Sequence, residues 1–297
     1  MGVVIEQMES FCEYKTASAC HEYPRQVLSL AEKSIIPLLS NRNAQKISHL
    51  IVATTCPDML APSLSQMLIE KFYEDFSNCH AFDLVQGCAG GVSAMILGSQ
   101  LAQLSQSSVM VVQADAAKKA TSKSKSIHQI FGNGSFACLL RFDKSDKGML
   151  HYKSQQYKGL SEVVTVKLGH DADEIIVENQ KDIANDSRKY LGLSMSSPLA
   201  LRLLRNAERF YLEFIQESMA PDAMILHQVN PDIMKRLRSI FAKYKVEFID
   251  KSFLTGNCGA ASVGIALHQA KDIVEGKKIL LCGFGTGGVI TAGLWQN

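Results

Sequence analysis

Residues 82–91 read Phe-Asp-Leu-Val-Gln-Gly-Cys-Ala-Gly-Gly. A short apolar run reaches Gly87 and passes at once into small residues, which predicts a strand, a tight turn and a helix with Cys88 at the helix N-terminus. Unpaired backbone N–H groups and the positive end of the helix dipole there favour the thiolate, the nucleophilic form of cysteine. The flanking glycines and alanine admit close approach, and the Cys88 amide is placed to donate to an oxyanion. A buried cysteine packed under such a turn fits the same position, so the reading needs partners. Two are present. Ala223-Met224-Ile225-Leu226 is an apolar strand that delivers His227 to its carboxyl end, the edge at which open α/β sheets bind ligands. Thr255-Gly256-Asn257-Cys258-Gly259-Ala260 sets a carboxamide just before a second helix of small residues. Alone, His227 reads as a hydrogen-bonded core residue and Asn257 as an N-cap. Jointly they bring an imidazole and a carboxamide to the sulfur of Cys88.

The elements that must hold these groups alternate along the chain. Val3–Ile5, Leu50–Ala53, Ala81–Val85 and Val109–Val112 read as strands. Helices are expected over Pro24–Leu39, Pro62–Phe76 and Gly90–Leu104. The second half repeats the pattern, with helices at Pro198–Met219, Pro231–Tyr244 and Ser262–Val274 and strands at Ala223–Leu226 and Ile279–Cys282. Such alternation calls for a mostly parallel sheet covered by helices. HLIVATTCPD at 49–58 resembles AMILHQVNPD at 223–232, and CAGGVSAMIL at 88–97 resembles CGAASVGIAL at 258–267, at nearly the same offset. A duplication with halves 1–147 and 148–297, joined through the KSDKG turn at 144–148, is the economical reading.

QGCAGG, ILHQVN, GNCGAAS and the closing GFGTGG, with FGNGS at 131–135, together resemble the β-ketoacyl-acyl-carrier-protein synthase III family, condensing enzymes of the thiolase superfamily. Order and spacing agree from about Leu50 to Ala292. The resemblance implies two βαβαβ-type halves in a five-layered α-β-α-β-α sandwich, the thiolase fold. It implies that Cys88 takes an acyl group from a thioester and that His227 and Asn257 bind the carbonyl of a malonyl unit on acyl carrier protein as it loses carbon dioxide. It further implies that the Cys88 and Gly285 amides form an oxyanion hole, that Asn230 contacts the pantetheine arm, and that no metal or redox cofactor takes part. Cys282, just before the glycine loop, stands where a second catalytic cysteine of a thiolase must be weighed; its apolar run reads instead as a buried strand.

The chain departs from that family twice. The passage from Phe11 to Pro24 is short and the only tryptophan is Trp295, so the expected clamp on the adenine of coenzyme A is missing. Asp232 stands where a basic residue is usual. The acyl donor is therefore expected to be a thioester of acyl carrier protein or of coenzyme A.

Lys+Arg 31 against Asp+Glu 29 leaves +2 over 297 residues, which gives no global basic field for nucleic acid. Eight cysteines without CxxC or zinc-type spacing suggest neither a structural metal nor a disulfide framework, and reduced thiols of the cytoplasm are the expectation. The N-terminus lacks the pattern of a secretory signal, Glu6 breaks that of myristoylation, and no run is long enough to span a membrane. Between Ala116 and Phe142 there is no acid, while Lys118, Lys119, Lys123, Lys125 and Arg141 are present; Lys235, Arg236 and Arg238 form a second cluster. Both are candidate docks for an acidic carrier protein, as well as ordinary solvated faces. Met59, Met67 and Met95 are candidate linings of an acyl tunnel, with core packing as the plainer reading. A homodimer across the N-terminal halves is implied by the resemblance, and a heterodimer with a homologous subunit is the variant. The rival functions are a non-condensing acyltransferase and a non-catalytic partner subunit.

Overall fold

The computed structural model describes residues 2–14, 26–41, 46–121, 127–168 and 191–296. In chain order its main elements are β1 (Gly2–Glu13), α1 (Gln26–Asn41), β2 (Ile47–Ala53), α2 (Leu64–Lys71), β3 (His80–Leu84), α3 (Gly90–Ser105), β4 (Ser108–Ala116), β5 (Asn133–Asp143) and β6 (Gly148–Gln156). There follow β7 (Val164–Leu168), β8 (Leu191–Met195), α4 (Ser197–Glu217), β9 (Ala223–Leu226), α5 (Pro231–Phe241), β10 (Glu247–Ile249), α6 (Ser262–His268), β11 (Lys278–Gly285) and β12 (Val289–Gln296). Strands β7 and β8 pair with each other as a separate antiparallel sheet.

The other ten strands run in the order β10-β9-β11-β12-β6-β1-β5-β4-β2-β3. One arrangement therefore occurs on each side of the β1–β6 contact, which consists of the single parallel pair Val3 and Gly148. In the first set β2 pairs in parallel with β3 and β4, and β5 lies antiparallel to β4 and β1. In the second, β9 pairs in parallel with β10 and β11, and β12 lies antiparallel to β11 and β6.

Side chains alternate across a strand, and here both faces find apolar cover. Leu50 and Val52 of β2 pack with Val27, Ile35 and Leu64 of α1 and α2, whereas Ile51 between them points to the opposite core with Val92 and Met95 of α3. In the second set Met224 and Leu226 face Leu203, Phe210 and Met234 of α4 and α5, whereas Ile225 joins the core that α3 shares with α6. The result is helix, sheet, helix, sheet, helix, and the central strands β4, β9 and β11 are buried along almost their whole length because both of their faces are covered. Small residues set the spacing of the middle layer. A Cβ on Gly91 would lie 2.0 Å from the Ala260 carbonyl oxygen, so the start of α3 meets the turn before α6 too closely for any side chain.

Several boundaries differ from expectation. The first strand extends from Val3–Ile5 to Gly2–Glu13, because its whole length pairs with β5, a partner that its own periodicity does not announce. The helix expected over Pro62–Phe76 is split at Phe72 into Leu64–Lys71 and Tyr73–Phe76, and that over Ser262–Val274 is split into Ser262–His268 and Lys271–Val274. Met67 packs against the α1 core and Met95 lies in the middle layer; neither lines the cavity described below, nor does Met59. Among the described residues no helix is long and apolar enough to cross a membrane.

Candidate active site

Strand β3 ends at Leu84, and the chain tightens into one 3-10 turn, Gly87–Ala89, before α3 begins. Cys88 thus sits at the head of the middle-layer helix, 6% exposed. Burial first, then the charge of Asp115, push its thiol up to about 12, against the Thr286 side chain and the Cys88 amide, which pull it down. Burial therefore favours the resting thiol, in the direction opposite to the one expected of a helix end. Its proton must leave as the new bond to sulfur forms.

His227 follows β9 directly, and its backbone N–H donates to the Cys282 carbonyl at 2.8 Å, extending the parallel pairing by one rung. The imidazole is 2% exposed and meets the Phe284 ring edge-on at 5.6 Å between centroids. Burial lowers it to about 4, so the ring is neutral at pH 7, and its Nδ1 makes no hydrogen bond.

Asn257 is fixed by its backbone: its N–H donates to the Ile130 carbonyl at 2.8 Å and its carbonyl accepts from Gly132 at 3.0 Å. Its side-chain Oδ1 accepts the Gly259 N–H at 2.9 Å. With the oxygen engaged, the Nδ2 hydrogens are the donors left to face the cavity. The loop is held from the other set of strands by Asp115 at the end of β4. Asp115 Oδ2 accepts from the Ala260 amide at 2.6 Å, and its Oδ1 accepts from the Thr54 hydroxyl and the Thr55 and Cys56 amides at 2.7–3.0 Å. Burial raises its pKa while these donors oppose the shift. Asp115 escaped the sequence reading, although an acid closing the apolar strand Val109–Val112 was a signal that it had buried partners.

Gly285, at the end of β11, has φ 145, in the region closed to most side chains. A Cβ there would stand 3.5 Å from Cys88 Cβ and 3.7 Å from Sγ, so the bare backbone of the glycine loop lies over the sulfur. Asn230 caps α5, its Oδ1 accepting the Ile233 N–H at 2.9 Å, with Nδ2 still available.

One cavity of about 260 Å³ has Cys88, His227, Asn257, Asn230 and Gly285 all in its wall. Apolar cover comes from Phe131, Val164, Leu193, Met195, Leu204 and Phe284, and Leu201, Asp232 and Arg236 at its rim are exposed. Met195, and none of the three candidate methionines Met59, Met67 and Met95, is the thioether in this wall. Cys282 lies outside the wall, 6% exposed within β11, and burial pushes it up to about 12.

The candidate docks divide. Lys119 is withdrawn: its side chain is fully buried, with Nζ 2.7 Å from Asp58 Oδ1 and 3.2 Å from the Pro57 carbonyl. Asp58 in turn accepts the Val27 and Leu28 amides at the start of α1, so the pair anchors a helix. Lys118 is also largely buried, donating to the Tyr14 carbonyl at 3.1 Å. Lys123 and Lys125 lie outside the described residues, as does most of the short passage from Phe11 to Pro24. Lys235, Arg236 and Arg238 are exposed on α5 beside the rim; Arg238 is turned toward the Phe248 carbonyl and Asp250, and Arg236 lines the cavity itself. Among the described residues no group of His, Cys, Asp and Glu could hold a metal ion.

Comparisons with known proteins bear on the family and the fold. The sequence profile described as 3-oxoacyl-[acyl-carrier-protein (ACP)] synthase III matches residues 82–157, and that of its C-terminal part matches residues 218–297. A β-ketoacyl-[acyl-carrier-protein] synthase III of Clostridium perfringens is 27% identical over 260 residues, covering 82% of this chain and 76% of its own. A crystal structure of a 3-oxoacyl-(acyl-carrier-protein) synthase III superposes with a TM-score of 0.85 at 18% identity, over 100% of both chains. The priming β-ketosynthase of the R1128 polyketide pathway superposes at 0.75 with 17% identity, over 99% of this chain and 96% of its own.

Proposed function

Because the chain belongs to the 3-oxoacyl-[acyl-carrier-protein] synthase III family, we propose that its cavity joins an acyl group to a malonyl unit by decarboxylative Claisen condensation. One observation carries the assignment of roles: a thiol, a neutral imidazole and a carboxamide with its N–H face free line a single cavity open at an exposed rim.

In the first half-reaction Cys88 Sγ attacks the carbonyl carbon of an acyl thioester. The new carbon–sulfur bond replaces the old, and the thiol proton ends on the departing pantetheine thiol. The oxyanion formed on the way is held by the Cys88 and Gly285 amides, the latter brought over the sulfur by the turn at Gly285. In the second, the malonyl thioester enters with its carbonyl oxygen against His227 and Asn257. As carbon dioxide leaves, negative charge develops on that oxygen. Two neutral donors in a dry pocket stabilise the enolate, each by about 2–4 kcal/mol on the scale of oxyanion-hole deletions. A cationic imidazole would have cost desolvation, and burial has removed that charge in advance. The enolate carbon attacks the acyl carbon, the Cys88 sulfur leaves and recovers a proton from solvent, and the β-ketoacyl thioester departs.

Malonyl-acyl carrier protein is the extender in this reading, and the acyl donor is a thioester of acyl carrier protein or coenzyme A. Asn230 Nδ2 serves the pantetheine arm, and Lys235 and Arg236 at the rim receive the acidic carrier. The halves 1–147 and 148–297 each supply part of the site, Cys88 from the first and His227, Asn257 and Gly285 from the second. Two copies pair along β3, one of the two edge strands of the ten-stranded sheet.

Intact mass spectrometry after incubation with acyl-coenzyme A and acyl-carrier thioesters tests the reading. An acyl adduct is expected on the protein and absent from Cys88→Ala, and carbon dioxide release is expected only when malonyl-carrier protein is added to the acylated form. An adduct that survives Cys88→Ala would overturn it.

A further inference from the structure

Directly behind Asn257, on the chain's next residue, a second thiol chemistry is available. Cys258 Sγ lies 3.7 Å from Cys12 Sγ of β1, although 246 residues separate them in sequence. Both thiols point at one acceptor, the Thr255 carbonyl, at 3.3 and 3.4 Å. Across the β1–β5 ladder Cys12 stands opposite Gly134. A Cβ on Gly134 would lie 3.1 Å from Cys258 Sγ, so the missing side chain leaves the space through which the sulfurs meet. Cys258 is buried, Cys12 is half-buried, and neither lines the cavity. The Lys118 ammonium, held at the Tyr14 carbonyl, lies close enough to act on the charge of Cys258.

We propose that Cys12 and Cys258 are a redox modification site whose disulfide disables condensation by displacing Asn257. With hydrogen peroxide as oxidant, the half-buried Cys12 thiol gives its two electrons to the peroxide, forming Cys12 sulfenic acid and one water. Cys258 Sγ then attacks Cys12 Sγ, and hydroxide leaves with the Cys258 proton as a second water. The disulfide bond so formed spans about 2.0 Å, so the sulfurs must approach by nearly half their present separation. Cys258 cannot follow freely, because its own N–H donates to Ser262 Oγ at 2.9 Å and the adjacent Ala260 amide is bound by Asp115. The strain passes to the adjoining Asn257, whose bonds to Ile130, Gly132 and Gly259 must shift with it. A misplacement of about 1 Å at a reacting centre costs about 10²-fold, so oxidation should lower condensation by at least tenfold.

The inference rests on the role of Asn257 given above, and the experiment separates the two. Protein acylated at Cys88, and so protected there, is treated with hydrogen peroxide and digested, and the peptides are mapped by mass with and without dithiothreitol. The cross-linked Cys12–Cys258 peptide is expected; its absence, or Cys12 sulfinic acid in its place, overturns the site. In parallel, carbon dioxide release from malonyl-carrier protein is measured. A loss reversed by dithiothreitol and absent in Cys12→Ser supports the switch, whereas a cross-link without loss of activity overturns it. If reduced protein condenses nothing while the cross-link still forms, it is the proposed function that has failed.

Discussion

Replacing Gly285 by alanine tests how the glycine loop serves the sulfur. The residue sits at φ 145, where an L side chain is strained, and such backbone positions cost about 1–3 kcal/mol. The added methyl would also stand 3.7 Å from Cys88 Sγ, in the space the acyl carbonyl must enter. Alanine keeps the amide N–H, but its methyl and the strained backbone displace that donor and the acyl carbonyl from each other, and a misplacement of about 1 Å costs about 10²-fold. Gly287 supplies the control, because it too has positive φ, 75, but a Cβ there would meet nothing within 4 Å. Gly287→Ala should therefore lose stability of the same order, read as a fall of several degrees in Tm, and keep its chemistry. Rapid-quench mass spectrometry of Cys88 acylation should show Gly285→Ala slower by about two orders of magnitude and Gly287→Ala close to the parent. Equal acylation rates in the two variants would refute the oxyanion reading of Gly285, and equal large losses would reduce it to backbone strain.

Four further outcomes are expected. His227 is held at about 4 against an ordinary 6.5; its folded value is depressed, so the stability from burying the neutral ring is present above 6.5 and lost as pH falls from there toward 4. About 3 kcal/mol is at stake, and urea unfolding should show the parent losing that much more than His227→Gln between pH 7 and pH 4; parallel losses would contradict it. Asp115→Asn turns one acceptor oxygen into a donor facing amides that also donate, so it should cost about 1–3 kcal/mol in urea unfolding and slow condensation more than it weakens malonyl-carrier binding, with unchanged kcat opposing its positioning role. Lys235→Glu with Arg236→Glu should raise KM for the carrier substrate without lowering Tm. Lys119→Met, by contrast, strands buried Asp58 and should destabilise by about 3–5 kcal/mol; a KM effect from Lys119 alone would reverse the assignment.

The site was legible because its residues are placed by local chain chemistry. Cys88 follows a strand end and a glycine turn, His227 follows the run Ala223–Leu226, and Asn257 precedes a helix of small residues; each signal lies within ten residues of the side chain it positions. What the sequence concealed depends on contacts between distant segments. The full length of β1 exists through its pairing with β5, and Asp115 has meaning only with the amides of residues 54–56 and 260 around it. Lys119 looked like a member of a basic surface because a run of lysines without acids is usually solvated; its counter-charge, Asp58, is far away in sequence. The thiolate expectation meets an opposing push for a related reason, since a helix end is visible locally whereas the burial that raises the Cys88 thiol is not.

The account turns on Asn257 acting at the malonyl carbonyl and not as a cap. Asn257→Ala, presented first with an acyl thioester and then with malonyl-carrier protein, should acylate Cys88 at the parental rate and release carbon dioxide slower by about 10² or more. Parallel loss of acylation and carbon dioxide release, or full retention of both, would contradict it.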